Sequence, residues 1–176
     1  MPLRFLLDEN FPPRLEVPDH RVEYVDLVDF DPALVGVSTP DWMIYLAAQA
    51  GGFDGVVSRD RAQLDQAAEH VALTHTTLSV VTWRKQIDDP IALWGHLLAY
   101  IPRIVKIIET EGPQIVVLPS ISLDATQHTQ TRAFIRREVS LKRTTVGELR
   151  AESLPMMRTE LRHRNRDDLV VLLDNQ

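Results

Sequence analysis

Residues 4–13 read Arg4-Phe5-Leu6-Leu7-Asp8-Glu9-Asn10-Phe11-Pro12-Pro13, an apolar run that stops on two adjacent acids. A short run of this kind, bounded by turn-forming residues, predicts a buried strand whose carboxyl end opens onto polar surroundings. The pattern recurs at residues 55–60, where Gly55-Val56-Val57 is followed by Ser58-Arg59-Asp60. Further apolar runs at residues 22–28, 53–58, 78–83 and 114–119 bring the predicted strands to five, each about five residues long. Helical patterns separate most of them. Strands alternating with helices predict an α/β fold of three layers, α/β/α, around a mainly parallel central sheet.

The clearest short helix opens at Thr39-Pro40-Asp41, with Thr39 as the expected N-cap and Pro40 at the first helical position, and stops at Gly51-Gly52. Asp41 then lies in the first turn. A second helix is expected from Arg61 to about Val71, abutting Asp60. The longest begins at Asp88-Asp89-Pro90 and carries Ile91, Trp94, Leu97, Leu98, Ile101, Ile104, Val105 and Ile108 at helical spacing, with Pro102 expected to kink it. Arg103, Lys106 and His96 on it favour a helix docked on a sheet over a membrane span.

Beyond residue 119 the texture changes. The chain carries a net charge of −6, but residues 1–119 sum to −8 and residues 120–176 to +2. This divides it into a main domain, 1–119, and an Arg-rich α+β extension, 120–176, suited to self-association or partner binding. Thr145 and Glu148 match the capping-box spacing for a helix over residues 146–154; Ser153-Leu154-Pro155 suggests another. Residues 168–174, DLVVLLD, suggest a strand or a partner-seeking segment. No run reaches the roughly 20 uncharged apolar residues of a membrane span, no signal-peptide layout stands at the N-terminus, and there is no cysteine. A cytoplasmic location is expected, and thiolate metal sites and cysteine nucleophiles are excluded. His20, His70, His75, His96, His128 and His163 show no zinc-binding spacing and read as surface or capping residues.

Ligands of open parallel sheets bind outside the carboxyl ends of the strands, where Asp8, Glu9 and Asp60 should emerge. Asp41 can face the same edge. Carboxylates gathered there resist ionising together unless a cation compensates. A hydrated Mg²⁺ or Mn²⁺ suits such a set, since it takes oxygen ligands and often only one or two of them directly from protein. Phosphodiester hydrolysis is the corresponding chemistry.

The order of "LLDEN" with its proline pair, "STPDW" at a helix start and "VVSRD" after a strand resembles the PIN-like domains related to VapC-type toxins of bacterial toxin–antitoxin systems. The resemblance covers residues 3–118. It implies a metal-dependent endoribonuclease centre in which Asp8, Asp41 and Asp60 hold the metal and Glu9 assists, together with an RNA substrate, a small antitoxin protein and self-association. Arg59 and Arg61, which flank Asp60, are candidate phosphate contacts. One departure stands out: relatives continue this motif as Arg-Asp-x-Asp-Phe, whereas this chain reads Arg59-Asp60-Arg61-Ala62-Gln63. The fourth acid is missing, with Asp65 the nearest substitute.

Each residue has a plainer role to weigh against this one. Asp8 and Glu9 can be solvated acids at a strand end, Asp41 can serve the helix dipole, and Asp60 can cap the following helix. Trp42, Trp83 and Trp94 read as core, although Trp83-Arg84-Lys85 at a strand end offers stacking and charge to a nucleic acid. Two rival functions follow. One is a PIN-like binding or regulatory module without efficient chemistry. The other is a phospho-receiver-like domain, weakened by the lack of a late strand-end lysine other than Lys85.

Overall fold

A computed structural model of the chain describes residues 1–12, 21–36, 39–119 and 127–174. Strands β1 (Leu3–Leu7), β2 (Val22–Asp26), β3 (Gly55–Val57), β4 (Ser79–Trp83) and β5 (Gln114–Leu118) form a parallel sheet, and β6 (Gln127–Gln130) adds to β5 antiparallel. The strand order is β2-β1-β3-β4-β5-β6. The chain therefore reverses its winding direction between β1 and β3, which makes that gap the switch point where doubly wound sheets form their ligand crevice.

Alternation along the strands divides the core in two. Leu6, Val56, Val80 and Ile115 face one layer of helices, while Phe5, Leu7, Val57, Val81 and Val116 face the other. Both faces are buried, as the continuous apolar runs require. Gly55 admits close packing at the centre: a Cβ there would meet Phe5 Cε1 and the Ser79 carbonyl oxygen, each at 2.8 Å.

One face is covered by a single helix, α4 (Pro90–Glu111), after short α1 (Leu27–Phe30), α2 (Asp41–Ala50) and α3 (Ala67–Thr74) have formed. Asp89 caps α4 by accepting from the Ala92 N–H at 2.6 Å, Pro90 takes its first turn, and Gly112 at φ +76° ends it. The helix runs through Pro102. Leu93, Trp94, Leu97, Tyr100, Ile101 and Ile104 dock on the sheet, whereas Ile91 points to solvent. Among the described helices α4 alone is long and apolar enough to cross a membrane by length and composition, with 44% of its most apolar window buried in this fold.

The other face is covered by α2 and α3 together with α5 (Thr131–Leu141), α6 (Val146–His163) and α7 (Asp167–Asp174). Phe134, Ile135, Val139, Met157, Leu161, Leu169 and Leu173 share one buried cluster with Leu46, Leu73 and Val80. These apolar groups of the C-terminal region are thus spent inward, although Met156 and Val171 remain exposed. The boundary at 119/120 adjoins residues outside those described.

Several element boundaries differ from expectation. Pro40, not Thr39, is the N-cap of α2, and no side chain caps it, because the helix begins one residue later, at Asp41. Residues 61–71 are not one helix: Asp60 caps a 3₁₀ turn (Arg61–Asp65), Gln66 is extended at φ −94°, ψ 145°, and α3 starts after it. The 22–28 run ends as a strand at Asp26 and coils into α1. Residues 146–163 form one helix through Pro155, opened by the full Thr145–Glu148 capping box, because the buried stripe Leu149, Ser153, Met157, Leu161 continues past the proline. The segment Asp168–Asp174 is helical, its buried Leu169, Val170 and Leu173 matching a 3.6-residue period.

Candidate functional site

β1 delivers Asp8 to the switch point. Its N–H donates to the Val57 carbonyl at 3.0 Å, extending the β1–β3 pairing by one residue, and its own carbonyl accepts from Phe11 N–H at 2.8 Å as the chain turns away. The side chain is only 3% exposed, so it is not a solvated strand-end acid. Oδ2 accepts from the Ser58 hydroxyl and Oδ1 from the Glu9 N–H, each at 2.8 Å. Ser58 in turn accepts from the Asp60 N–H at 3.1 Å and is tied to β4 by its own N–H, which donates to Val81 at 3.0 Å. A hydrogen-bonded line therefore runs from the backbone of Asp60 through Ser58 to the Asp8 carboxylate.

Glu9 is exposed, and its Oε2 accepts from Gly36 N–H at 2.7 Å. Gly36 sits at φ +135°, a backbone region that suits glycine. Asp60 is exposed too, and its Oδ1 accepts from Ala62 N–H at 2.8 Å. The capping role considered for it is real, and it leaves Oδ2 available.

Asp41 behaves differently. It is half-buried in the first turn of α2, and among the described residues its carboxylate has no hydrogen bond or ion pair. A helix N-terminus favours the ionised form. Yet its pKa is pushed up to about 7, by burial first and then by the negative charges of Asp8, Asp60 and Glu9. Burial and the charges of the other three predicted acids outweigh the dipole at Asp41.

A fifth acid joins them that the sequence reading missed. Glu69, in the first turn of α3, is 5% exposed, and its Oε2 has no hydrogen-bond partner among the described residues. Burial raises its pKa to about 7, and Asp41 adds to the rise. Below them the Tyr45 hydroxyl is pushed well above its ordinary value by burial, then by Asp41 and Glu69. The signal for Glu69 was its spacing from Ala72 and Leu73, both buried: it is an acid on the inner side of a helix. Asp65 does not replace the missing motif acid. It ends the 3₁₀ turn exposed, and its backbone carbonyl accepts from Lys142 Nζ.

Arg59 is half-buried and reaches the Asn10 carbonyl and Asp88 Oδ1 at 3.4 Å each; Arg61, Arg84 and Lys85 are exposed. Trp83 is 1% exposed and donates from Nε1 to His96 Nδ1 at 2.8 Å, so it stacks on nothing outside the core. Trp42 and Trp94 are buried as expected. His70 and His75 are buried rather than at the surface; burial lowers the pKa of both, and His70 Nε2 lies 2.6 Å from the Leu64 carbonyl.

The acids at this edge offer only oxygens, and the negative charges of Asp8, Asp60 and Glu9, which add to the effect of burial on Asp41, are ones that a cation would offset. Among the described residues, no three Asp, Glu or His side chains form a ready-made cage. A strongly hydrated Mg²⁺ or Mn²⁺ needs none, since one or two direct carboxylates with the others reached through water suffice. Comparison of the chain with protein-family models, curated proteins and solved structures finds no match.

Proposed function

We propose that the chain is a PIN-like, Mg²⁺- or Mn²⁺-dependent endoribonuclease of the cytoplasm, the toxin component of a bacterial toxin–antitoxin pair. The observation that carries this reading is Asp41, a carboxylate without a partner among the described residues, made hard to ionise first by burial and then by Asp8, Asp60 and Glu9 at the switch point of a parallel sheet. Asp8 and Asp41 would hold the ion, with Asp60 and Glu9 reached through water. When bound, the ion supplies charge neutralisation at a phosphoryl oxygen and a more acidic water. The chain's own part is positioning. Ser58 fixes the Asp8 carboxylate, the Gly36 N–H fixes Glu9, and Ala62 N–H leaves one oxygen of Asp60 to face solvent. The small antitoxin and the self-association implied by the family resemblance belong to the same proposal.

Manganese titration followed by electron paramagnetic resonance tests it. One Mn²⁺ site is expected in the full chain, with affinity lowered at least tenfold in Asp41→Asn. Equal binding in both proteins would remove Asp41 from the site.

A binding or regulatory module without efficient chemistry is the second reading, favoured by the absence of a three-carboxylate cage among the described residues. The order β2-β1-β3-β4-β5 also suits a phospho-receiver. Against that, Ser58 follows β3 where a phospho-accepting carboxylate would be needed, and Lys85 follows β4 rather than β5.

A further inference from the structure

Beside the acids, the same edge of the sheet holds a cavity of about 410 Å³ with the opposite charge. Its walls are Arg59, Asp60 and Arg61, which follow β3, and Arg84 and Gln86, which follow β4; Asn10 closes it from the turn after β1. Three arginines line it against one acid, in a chain whose net charge is −6. Arg61 and Arg84 are exposed and have no acidic partner among the described residues. Arg59 is only loosely committed. Its two bonds are long, at 3.4 Å, Asp88 on the far side of one is 87% exposed, and its buried Nε has no acceptor. Weakly committed arginines lining one concavity suit phosphate oxygens, which guanidinium groups bind in pairs.

We propose that this cavity takes a backbone phosphate of an RNA strand and lays the adjoining phosphodiester over the acids. The proposal deepens the ribonuclease reading and rests on it for the direction in which the strand leaves the cavity; the phosphate contact itself requires no metal. Asp60 belongs to both regions, which puts the cavity next to the carboxylates rather than at a separate surface. The lining also says what is not read. Its one aromatic residue, Trp83, is buried and already donates its indole N–H to His96, so no ring is free to stack a base. Binding is therefore expected to be carried by the backbone, without base stacking.

The test is fluorescence anisotropy of the full chain with labelled 12-nucleotide oligouridylate and oligoadenylate, in EDTA. Arg61→Ala and Arg84→Ala are each expected to weaken binding about five- to tenfold. Each should lower the log–log salt slope by about 0.7, the value for one phosphate contact on a single strand. Arg84→Glu should weaken it further, Arg132→Ala, on α5, should leave it unchanged, and the two oligonucleotides should bind within about threefold of each other. Unfolding midpoints matching wild type exclude misfolding, since Arg61 and Arg84 make no structural bond. Arginine variants that bind as wild type does overturn the proposal, as does uridine monophosphate binding as tightly as the 12-mer, which would make the cavity a small-anion site. Arginine-dependent binding in a chain that never cleaves RNA supports this inference while defeating the ribonuclease reading. Cleavage with an unchanged KM in Arg84→Ala does the reverse.

Discussion

The carboxyl edge of the sheet has two halves built on opposite principles. On the β1 and α2 side, acids are drawn inward: Asp8 is buried, Asp41 is half-buried, and burial together with repulsion raises the Asp41 pKa to about 7. On the β3 and β4 side, Arg61 and Arg84 stand in solvent with no acidic partner among the described residues. A fold selected for stability alone would pair these charges across the few residues between them. Keeping them apart costs stability, and the pattern makes sense if each half is completed by an ion of the opposite sign: a cation on one side, a phosphate on the other.

The largest test of that contrast removes a charge from the acid half. Asp8→Asn keeps the size of the side chain and an oxygen for the Ser58 hydroxyl. Metal-dependent RNA cleavage is expected to fall by at least about 10³-fold with secondary structure retained by circular dichroism. A fall of less than about tenfold would break the acid half as a catalytic unit. Acting on the cationic half, the double variant Arg61→Ala/Arg84→Ala should raise KM by about 25- to 100-fold with kcat little changed, because it removes binding shared by ground and transition states.

The third test reads the repulsion itself. Asp41 has a folded pKa of about 7, above its ordinary value of 3.8. Its ionisation therefore favours the unfolded chain: stability is full below pH 4 and is lost as pH rises toward and through 7. In metal-free buffer at pH 8, Asp41→Asn should be more stable than wild type by roughly 1–2 kcal/mol, after discounting for screening at a half-exposed group. The difference should vanish near pH 4. Thermal unfolding across that range checks it, and Mn²⁺ should raise the wild-type midpoint more at pH 8 than at pH 5. The smallest effect is expected from Ser58→Ala, which leaves Asp8 Oδ2 short of one donor: a loss of about 1–2 kcal/mol by chemical denaturation, with weaker Mn²⁺ binding.

How much of this the sequence carried depends on range. The strands of the main sheet were legible because each is a short apolar run between turn residues, and the strand-end acids were legible with them. The break at Gln66 was not, because Leu64, Ala67, Ala68 and Val71 keep helical spacing across it, and only the Asp60 cap reveals that the first turn is 3₁₀. DLVVLLD was ambiguous for a related reason: a short apolar run suits a strand or a buried helix, and its packing with α2 and α6 decides. The acids Asp8, Glu9, Asp41 and Asp60 were named from motif positions. Glu69 was not: its spacing from Ala72 and Leu73 marks it as inward-facing, but that it meets Asp41 depends on α3 lying against α2. Arg84 was noticed only as a companion of Trp83; the burial of that ring separates their roles.

The central claim is that the acids serve metal-dependent cleavage. It is tested most directly by incubating the purified full chain with labelled single-stranded RNA in Mn²⁺ or EDTA, beside Asp8→Asn prepared identically. The account predicts internal cleavage by wild type in Mn²⁺ alone, with neither EDTA-treated wild type nor Asp8→Asn cutting above background. Cleavage that continues in EDTA, or at an equal rate in the variant, would contradict it, as would an RNA bound by the arginine cavity yet left intact by the wild-type chain in Mn²⁺.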